Sequence, residues 1–160
     1  MSILKYSIRI IILTAVINLL TGCTRNNGDI GPWFGTWKLD EITIDGNVSE
    51  EYDGNVFWKF HNNVFEMVKM MTDDKGYGYG TCYAIWSEAD GYLIIDFRQH
   101  DDQYNPEDWN GLYRPFLETH LPVNGVADIK IVKLSGSKAQ LTYYSSEDGK
   151  TYGYTLSKYG

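Results

Sequence analysis

Gly35-Thr36-Trp37-Lys38-Leu39-Asp40-Glu41-Ile42-Thr43-Ile44, closed by Asp45-Gly46-Asn47, is the stretch from which the fold can be read. Its apolar residues alternate with polar ones, the period of a half-buried strand. The phase switches from Trp37 and Leu39 to Ile42 and Ile44, so a bulge is expected near Asp40-Glu41. Asp-Gly between apolar runs is strong hairpin chemistry, because both residues tolerate the left-handed backbone that a tight turn requires. One strand, a bulge and a turn therefore fit within thirteen residues.

Working outward, the same grammar repeats. Strands are expected at Asn55–Phe60, Val64–Met71, Tyr79–Ser87 and Tyr92–Arg98, then at Ala127–Leu134, Ala139–Tyr144 and Tyr152–Tyr159. Tyr, Phe, Trp, Val, Ile and Thr dominate these runs, as suits a pleated, half-buried surface. His61-Asn62-Asn63, Glu88-Ala89-Asp90-Gly91, Ser135-Gly136-Ser137 and Ser146–Lys150 supply the turns. Apart from a short ambiguous stretch near Leu112 to Glu118, no segment after the N-terminal run shows a helical period. Residues 99–126 break the regular spacing and hold Pro106, Pro115 and Pro122, with His100, His120 and a group of acids. A long irregular stretch in a compact domain usually carries function or covers an opening. The fold expected is all-β, an antiparallel eight-stranded up-and-down meander closed into a barrel. Closure removes the edge strands and leaves room for side chains or one small ligand. A β-sandwich is the competing architecture; sequential hairpins without crossovers favour the barrel.

The N-terminus has a different composition. Lys5 and Arg9 precede an apolar run from Ile10 to Leu20, then Thr21-Gly22-Cys23. This is the layout of a secretory signal, with a cysteine at the cleavage position. The run is shorter than the roughly 20 residues that span a bilayer. It resembles a bacterial lipoprotein lipobox. That resemblance implies a signal peptide over residues 1–22, lipidation of Cys23 as the membrane anchor and a tether over 23–31. A barrel domain would then occupy 32–160. The implied address is the cell envelope of a Gram-negative bacterium. Thr24 after the cysteine points to the outer membrane, with the leaflet left open.

Removing residues 1–22 leaves 138, enough for one domain with a sizeable core. The leader takes two of the 14 basic residues and none of the 21 acidic ones, so the mature chain carries 12 against 21, a net charge of −9. Such a balance argues against nucleic acid as a partner. With Cys23 lipidated, Cys82 has no cysteine to pair with and reads as a buried small hydrophobe. Stability must come from packing, for which the 15% aromatic content is suited.

Gly35-Thr36-Trp37, preceded by Gly31-Pro32-Trp33-Phe34, resembles the Gly-x-Trp signature that opens lipocalins, and the eight-strand meander matches their length. The resemblance implies that Gly35 lets the entering chain pass close to the barrel floor and that Trp37 plugs it. A basic residue late in the chain, Lys158 here, would lie over that indole. No second family motif is found and the usual C-terminal helix is missing. The chain is therefore closer to the small lipocalin-like lipoproteins of bacteria, many of which lack a known ligand.

Trp58, Phe60, Phe65, Met67, Tyr83 and Trp86 are the candidate ligand-lining residues, with 99–120 as a lid; each also reads as plain core. Aromatic walls with few charges and some polar handles suit a small apolar or amphipathic ligand. The alternative is an envelope module that contacts a protein or glycan through exposed tyrosines and the acidic loop. His61, His100 and His120 lack metal-ligand spacing, and Asp101, Asp102, Asn105, Glu107 and Asp108 do not form a calcium-loop pattern. Neither a metal nor a cofactor is expected. Gly-x-Ser-x-Gly, His-Glu-x-x-His and phosphate-cradling glycine loops are all missing, so binding rather than catalysis is expected. An inward carboxylate or histidine with a shifted pKa would argue otherwise.

Overall fold

A computed structural model describes residues 31–73, 76–98 and 113–160. The leader, Cys23, most of the tether and the acidic stretch containing His100, Asp101, Asp102, Asn105, Glu107 and Asp108 lie outside the described residues.

Nine strands follow in chain order: β1 (Gly35–Ile44), β2 (Asn47–Val48), β3 (Val56–His61), β4 (Val64–Asp73), β5 (Gly76–Ala89), β6 (Tyr92–Asp96), β7 (Val126–Leu134), β8 (Lys138–Tyr144) and β9 (Thr151–Tyr159). Single 3₁₀ turns form at Gly31–Trp33 and Leu117–Thr119. The sheet runs β2-β1-β3-β4-β5-β6-β7-β8-β9, and β1 also pairs with β9. That last antiparallel pairing, from Thr36↔Tyr159 to Ile44↔Tyr152, closes eight strands into a barrel. A sandwich would break the hydrogen-bonded ladder between two sheets; here the ladder is continuous.

Local chemistry accounts for the register. β1 slips against β9 between Leu39 and Glu41, so Asp40 is the extra residue of a bulge. The slip lets Trp37 and Leu39 on one side of it, and Ile42 on the other, all face the core. Asp45-Gly46 and Asp90-Gly91 take positive φ at both positions (50° and 84°, 52° and 80°), and each makes a two-residue turn whose twist matches its strands. β2 had no signal of its own, being two residues folded back by the first of these turns. β5 extends three residues further towards its N-terminus than its composition suggests, because β4 offers partners as far as Asp73↔Gly76. The ambiguous stretch before Glu118 yields only the 3₁₀ turn at Leu117–Thr119.

Inward positions alternate along the strands of the barrel wall, interrupted at the β1 bulge, as a pleated barrel demands. On β3 they are Val56, Trp58 and Phe60, and on β5 they are Cys82, Ala84 and Trp86, all buried. The barrel has two distinct ends. One, here the floor, carries the start of β1 and the end of β9. The other, the mouth, carries the 45–55 and 145–150 connections and the described stretch 113–125 that leads into β7.

Candidate functional site

The floor is sealed by aromatic rings and one lysine. Trp33, on the first 3₁₀ turn, is fully buried, and its ring centroid lies 5.0 Å from Phe60 and 5.8 Å from Trp37. Its indole N–H donates to Glu88 Oε2 at 2.6 Å, a charge-assisted bond that ties the turn to the end of β5. Its carbonyl accepts from the Trp37 indole N–H at 2.9 Å. Lys158 Nζ stands 4.5 Å from the Trp37 ring centroid and donates to the carbonyls of Pro32 (3.1 Å) and Phe34. Burial lowers the Lys158 pKa from its ordinary value. Gly35 makes the arrangement possible in two ways. Its φ of +102° disfavours a side chain, and a Cβ there would come within 3.3 Å of Lys158 Cε.

Above the floor, the inward rings touch one another. Phe60 meets Phe65 at 5.4 Å and Trp86 at 5.0 Å, both edge-on, and Trp58 bridges Phe65 (5.4 Å) to Tyr154 (5.6 Å). Such contacts are worth about 0.5–1.5 kcal/mol each beyond burial. The structure thus brings five of the six candidate lining residues, Trp58, Phe60, Phe65, Met67 and Trp86, to the inner wall. Tyr83 requires a correction. It pairs with Glu66 and shares the outward face of β5 with Thr81 and Ile85, one residue out of phase with Cys82, Ala84 and Trp86. A two-residue period puts positions 83 and 86 on opposite faces, so both cannot line one interior. Cys82 takes an inward position; burial pushes its thiol up to about 12, and it is fully buried.

The mouth is crossed by a strap, residues 115–122, in which Pro115, Thr119, Leu121 and Pro122 are buried. Several side chains hold it. Glu118 forms an ion pair with Lys69 of β4. The Phe116 ring lies against Gly80 of β5, where a Cβ would come within 3.1 Å of it. The Tyr154 hydroxyl, rising from β9 inside the barrel, donates to the Thr119 carbonyl at 2.7 Å, and burial holds the Tyr154 pKa well above the ordinary tyrosine value. His120 adopts a left-handed backbone (φ 54°) and stacks on Tyr152 at 4.5 Å with 15° between planes. Tyr152 in turn donates to Asp148; burial first, and then this carboxylate, push the phenol up to about 12. Beside the strap, the Tyr52 hydroxyl donates to the Leu39 carbonyl at 2.5 Å and accepts from Val56 N–H at 3.3 Å. These contacts cover the end of the barrel that the floor residues leave open.

Tyr52, Trp33, Glu88, Tyr152 and Tyr154 were not singled out as site residues from the sequence, and Thr119 and His120 entered only as members of the expected lid over 99–120. Only Trp33 carried a local cue, its place just before Gly-x-Trp; the others act through partners as far as 55 residues away in the chain. Two inward side chains retain unused donors. The indole nitrogens of Trp58 and Trp86 are buried without a hydrogen-bond partner. Among the described residues no group of three or more His, Cys, Asp or Glu could hold a metal ion.

A family model described as a lipocalin-like domain matches residues 18–146. Among solved structures, the chain is similar to a lipocalin-like protein from Bacteroides uniformis ATCC 8492, with 21% identity and a TM-score of 0.54, over 81% of this chain and 100% of that one. It is also similar to a protein from Bacteroides eggerthii DSM 20697, with 21% identity and a TM-score of 0.54, over 79% and 99% of the two chains. At that identity the likeness is one of fold. No curated protein matches.

Proposed function

Because the chain belongs to the lipocalin-like domain family, we propose that it is a lipid-anchored cell-envelope protein whose barrel binds a small apolar or amphipathic ligand rather than transforming it. The observation that carries this reading is the asymmetry of the barrel ends. The floor is fastened by Trp33, Trp37 and Lys158 through an indole hydrogen bond, a tilted ring contact and a cation–π contact. The mouth is covered by a separate strap held by one ion pair, one buried hydroxyl and two ring contacts. A strap of this kind opens locally at far lower cost than a strand, since it contributes no ladder hydrogen bonds. A ligand would enter there and meet Trp58, Phe65 and Met67.

Anchoring rests on Cys23 and the apolar leader before it, and sorting to the outer membrane on Thr24. Attachment through several acyl chains holds durably where one chain alone is marginal. Cys23→Ser should release the protein from membranes; retention after a high-salt wash would overturn the anchor. The binding reading is tested with an apolar fluorescent probe such as N-phenylnaphthylamine. Saturable fluorescence enhancement at one site per chain supports it. Enhancement that never saturates, or none at all, contradicts it.

A second reading has its own observation. The outer face of β4 and β5 exposes Val64, Met70, Tyr79 and Ile85 in cross-strand register, Val64 opposite Ile85 and Met70 opposite Tyr79. An apolar outer face, together with an interior whose floor half is filled by rings, favours an envelope protein or glycan as partner. A barrel that takes up no probe would shift the assignment to this surface.

A further inference from the structure

Trp58 has no exposed surface, faces inward from the middle of β3, and its indole N–H has no acceptor. Its neighbours explain why. Phe65 and Tyr154 flank the ring, and its cross-strand partner is Met67, which pairs onward with Cys82. Aromatic faces, a thioether and a thiol offer at best weak acceptors. The Tyr154 ring flanks the indole, but its hydroxyl points to the Thr119 carbonyl and makes no hydrogen bond with the Trp58 N–H. A buried donor with no partner is costly, and a purely apolar side chain at this position would not carry that cost. Trp86, nearer the floor beside Phe60, carries a second such donor.

The charge inventory narrows what could satisfy the donor. Among the described residues two cations occupy inward-phased positions, and both are engaged. Lys69 pairs with Glu118 at the mouth, and Lys158 lies over Trp37 and on the carbonyls of Pro32 and Phe34 at the floor. No described cation remains for a free carboxylate at the level of Trp58, and burying an unpaired charge costs far more than one hydrogen bond returns.

We infer that the interior site is selective for uncharged apolar molecules carrying a hydrogen-bond acceptor, a ketone, ester or ether oxygen, which takes the Trp58 indole N–H; fatty acids in their carboxylate form are excluded. This inference rests on the binding reading above and names the ligand class for that same interior.

The test compares three probes of one chain length on the mature protein: methyl hexyl ketone, the alkene in which a methylene replaces its oxygen, and octanoate. Affinities are measured for the wild type and for Trp58→Phe, and the Trp58 indole N–H resonance is followed by NMR. The ketone should move that resonance downfield. Trp58→Phe should weaken the ketone about fivefold, the weight of one neutral hydrogen bond, and leave the alkene unchanged. Equal effects on ketone and alkene, or octanoate binding tightest, would overturn the inference while leaving the binding reading in place. So would an indole proton shifted upfield and unmoved by ketone, which would put the N–H on the Phe65 ring face. If none of the three enters the wild-type barrel, the binding reading fails with it.

Discussion

Replacing Trp37 separates packing from hydrogen bonding at the floor. Trp37 is fully buried, contacts the Trp33 ring at 5.8 Å, lies under Lys158 Nζ at 4.5 Å and donates to the Trp33 carbonyl at 2.9 Å. Trp37→Ala removes all three interactions and opens a cavity; large-to-small changes of this kind cost about 3–5 kcal/mol. Trp37→Phe keeps most of the ring under the lysine but leaves a buried carbonyl unpaired, which costs about 1–3 kcal/mol. The assay is urea unfolding of residues 23–160 carrying Cys23→Ser, followed by tryptophan fluorescence. With a urea slope of roughly 1–3 kcal/mol per molar for a small domain, the phenylalanine variant should lower the midpoint by about 1 M. The alanine variant removes much of the roughly 5–15 kcal/mol that stabilises a domain, and should be largely unfolded in mild denaturant. An alanine cost below about 1 kcal/mol would refute the plug role.

Other consequences follow from the same geometry. Tyr154→Phe leaves the Thr119 carbonyl without its buried donor, so strap amides should exchange faster by about 1–3 kcal/mol of protection while the barrel ladder is unaffected; unchanged strap protection would show that the hydroxyl does not hold it. With its thiol pushed up to about 12 and fully buried, Cys82 should resist iodoacetamide in the native chain and react on unfolding; equal native and unfolded rates would contradict its burial. Burial lowers the His120 pKa from 6.5, outweighing Asp148, Glu51 and Glu118, which raise it, while Lys150 adds to the lowering. The unfolded chain therefore binds this proton more readily. The stability due to neutral His120 is present above 6.5 and is lost as pH falls towards the lower folded value. His120→Phe should flatten the fall in urea midpoint between about pH 7.5 and about pH 5; an unchanged slope would assign it to other groups.

The wall of this barrel was legible in the sequence because its rules are local. The two-residue period placed Trp58, Phe60 and Phe65 inside, the phase change at Asp40-Glu41 located the bulge, and Asp-Gly marked two tight turns. The same period, applied strictly, separates Tyr83 from Trp86; aromatic character alone does not distinguish an inward ring from an outward one. The strap was legible only as an irregular, proline-bearing stretch. Its fastening depends on partners that closure of the barrel delivers, Thr119 with Tyr154 across 35 residues and Glu118 with Lys69. No local pattern encodes such pairs. The unpaired indole of Trp58 is equally invisible in the sequence, since it is defined by what its neighbours lack.

The most direct measurement is native mass spectrometry of the protein extracted gently from the envelope of its own host. The account predicts a reproducible added mass beyond the lipid anchor, one ligand per chain, uncharged and bearing an acceptor oxygen, lost when the barrel is unfolded. A chain that carries only its anchor, and that also takes up none of the ketone, alkene or fluorescent probes, would contradict ligand binding and leave the exposed β4–β5 face as the functional surface.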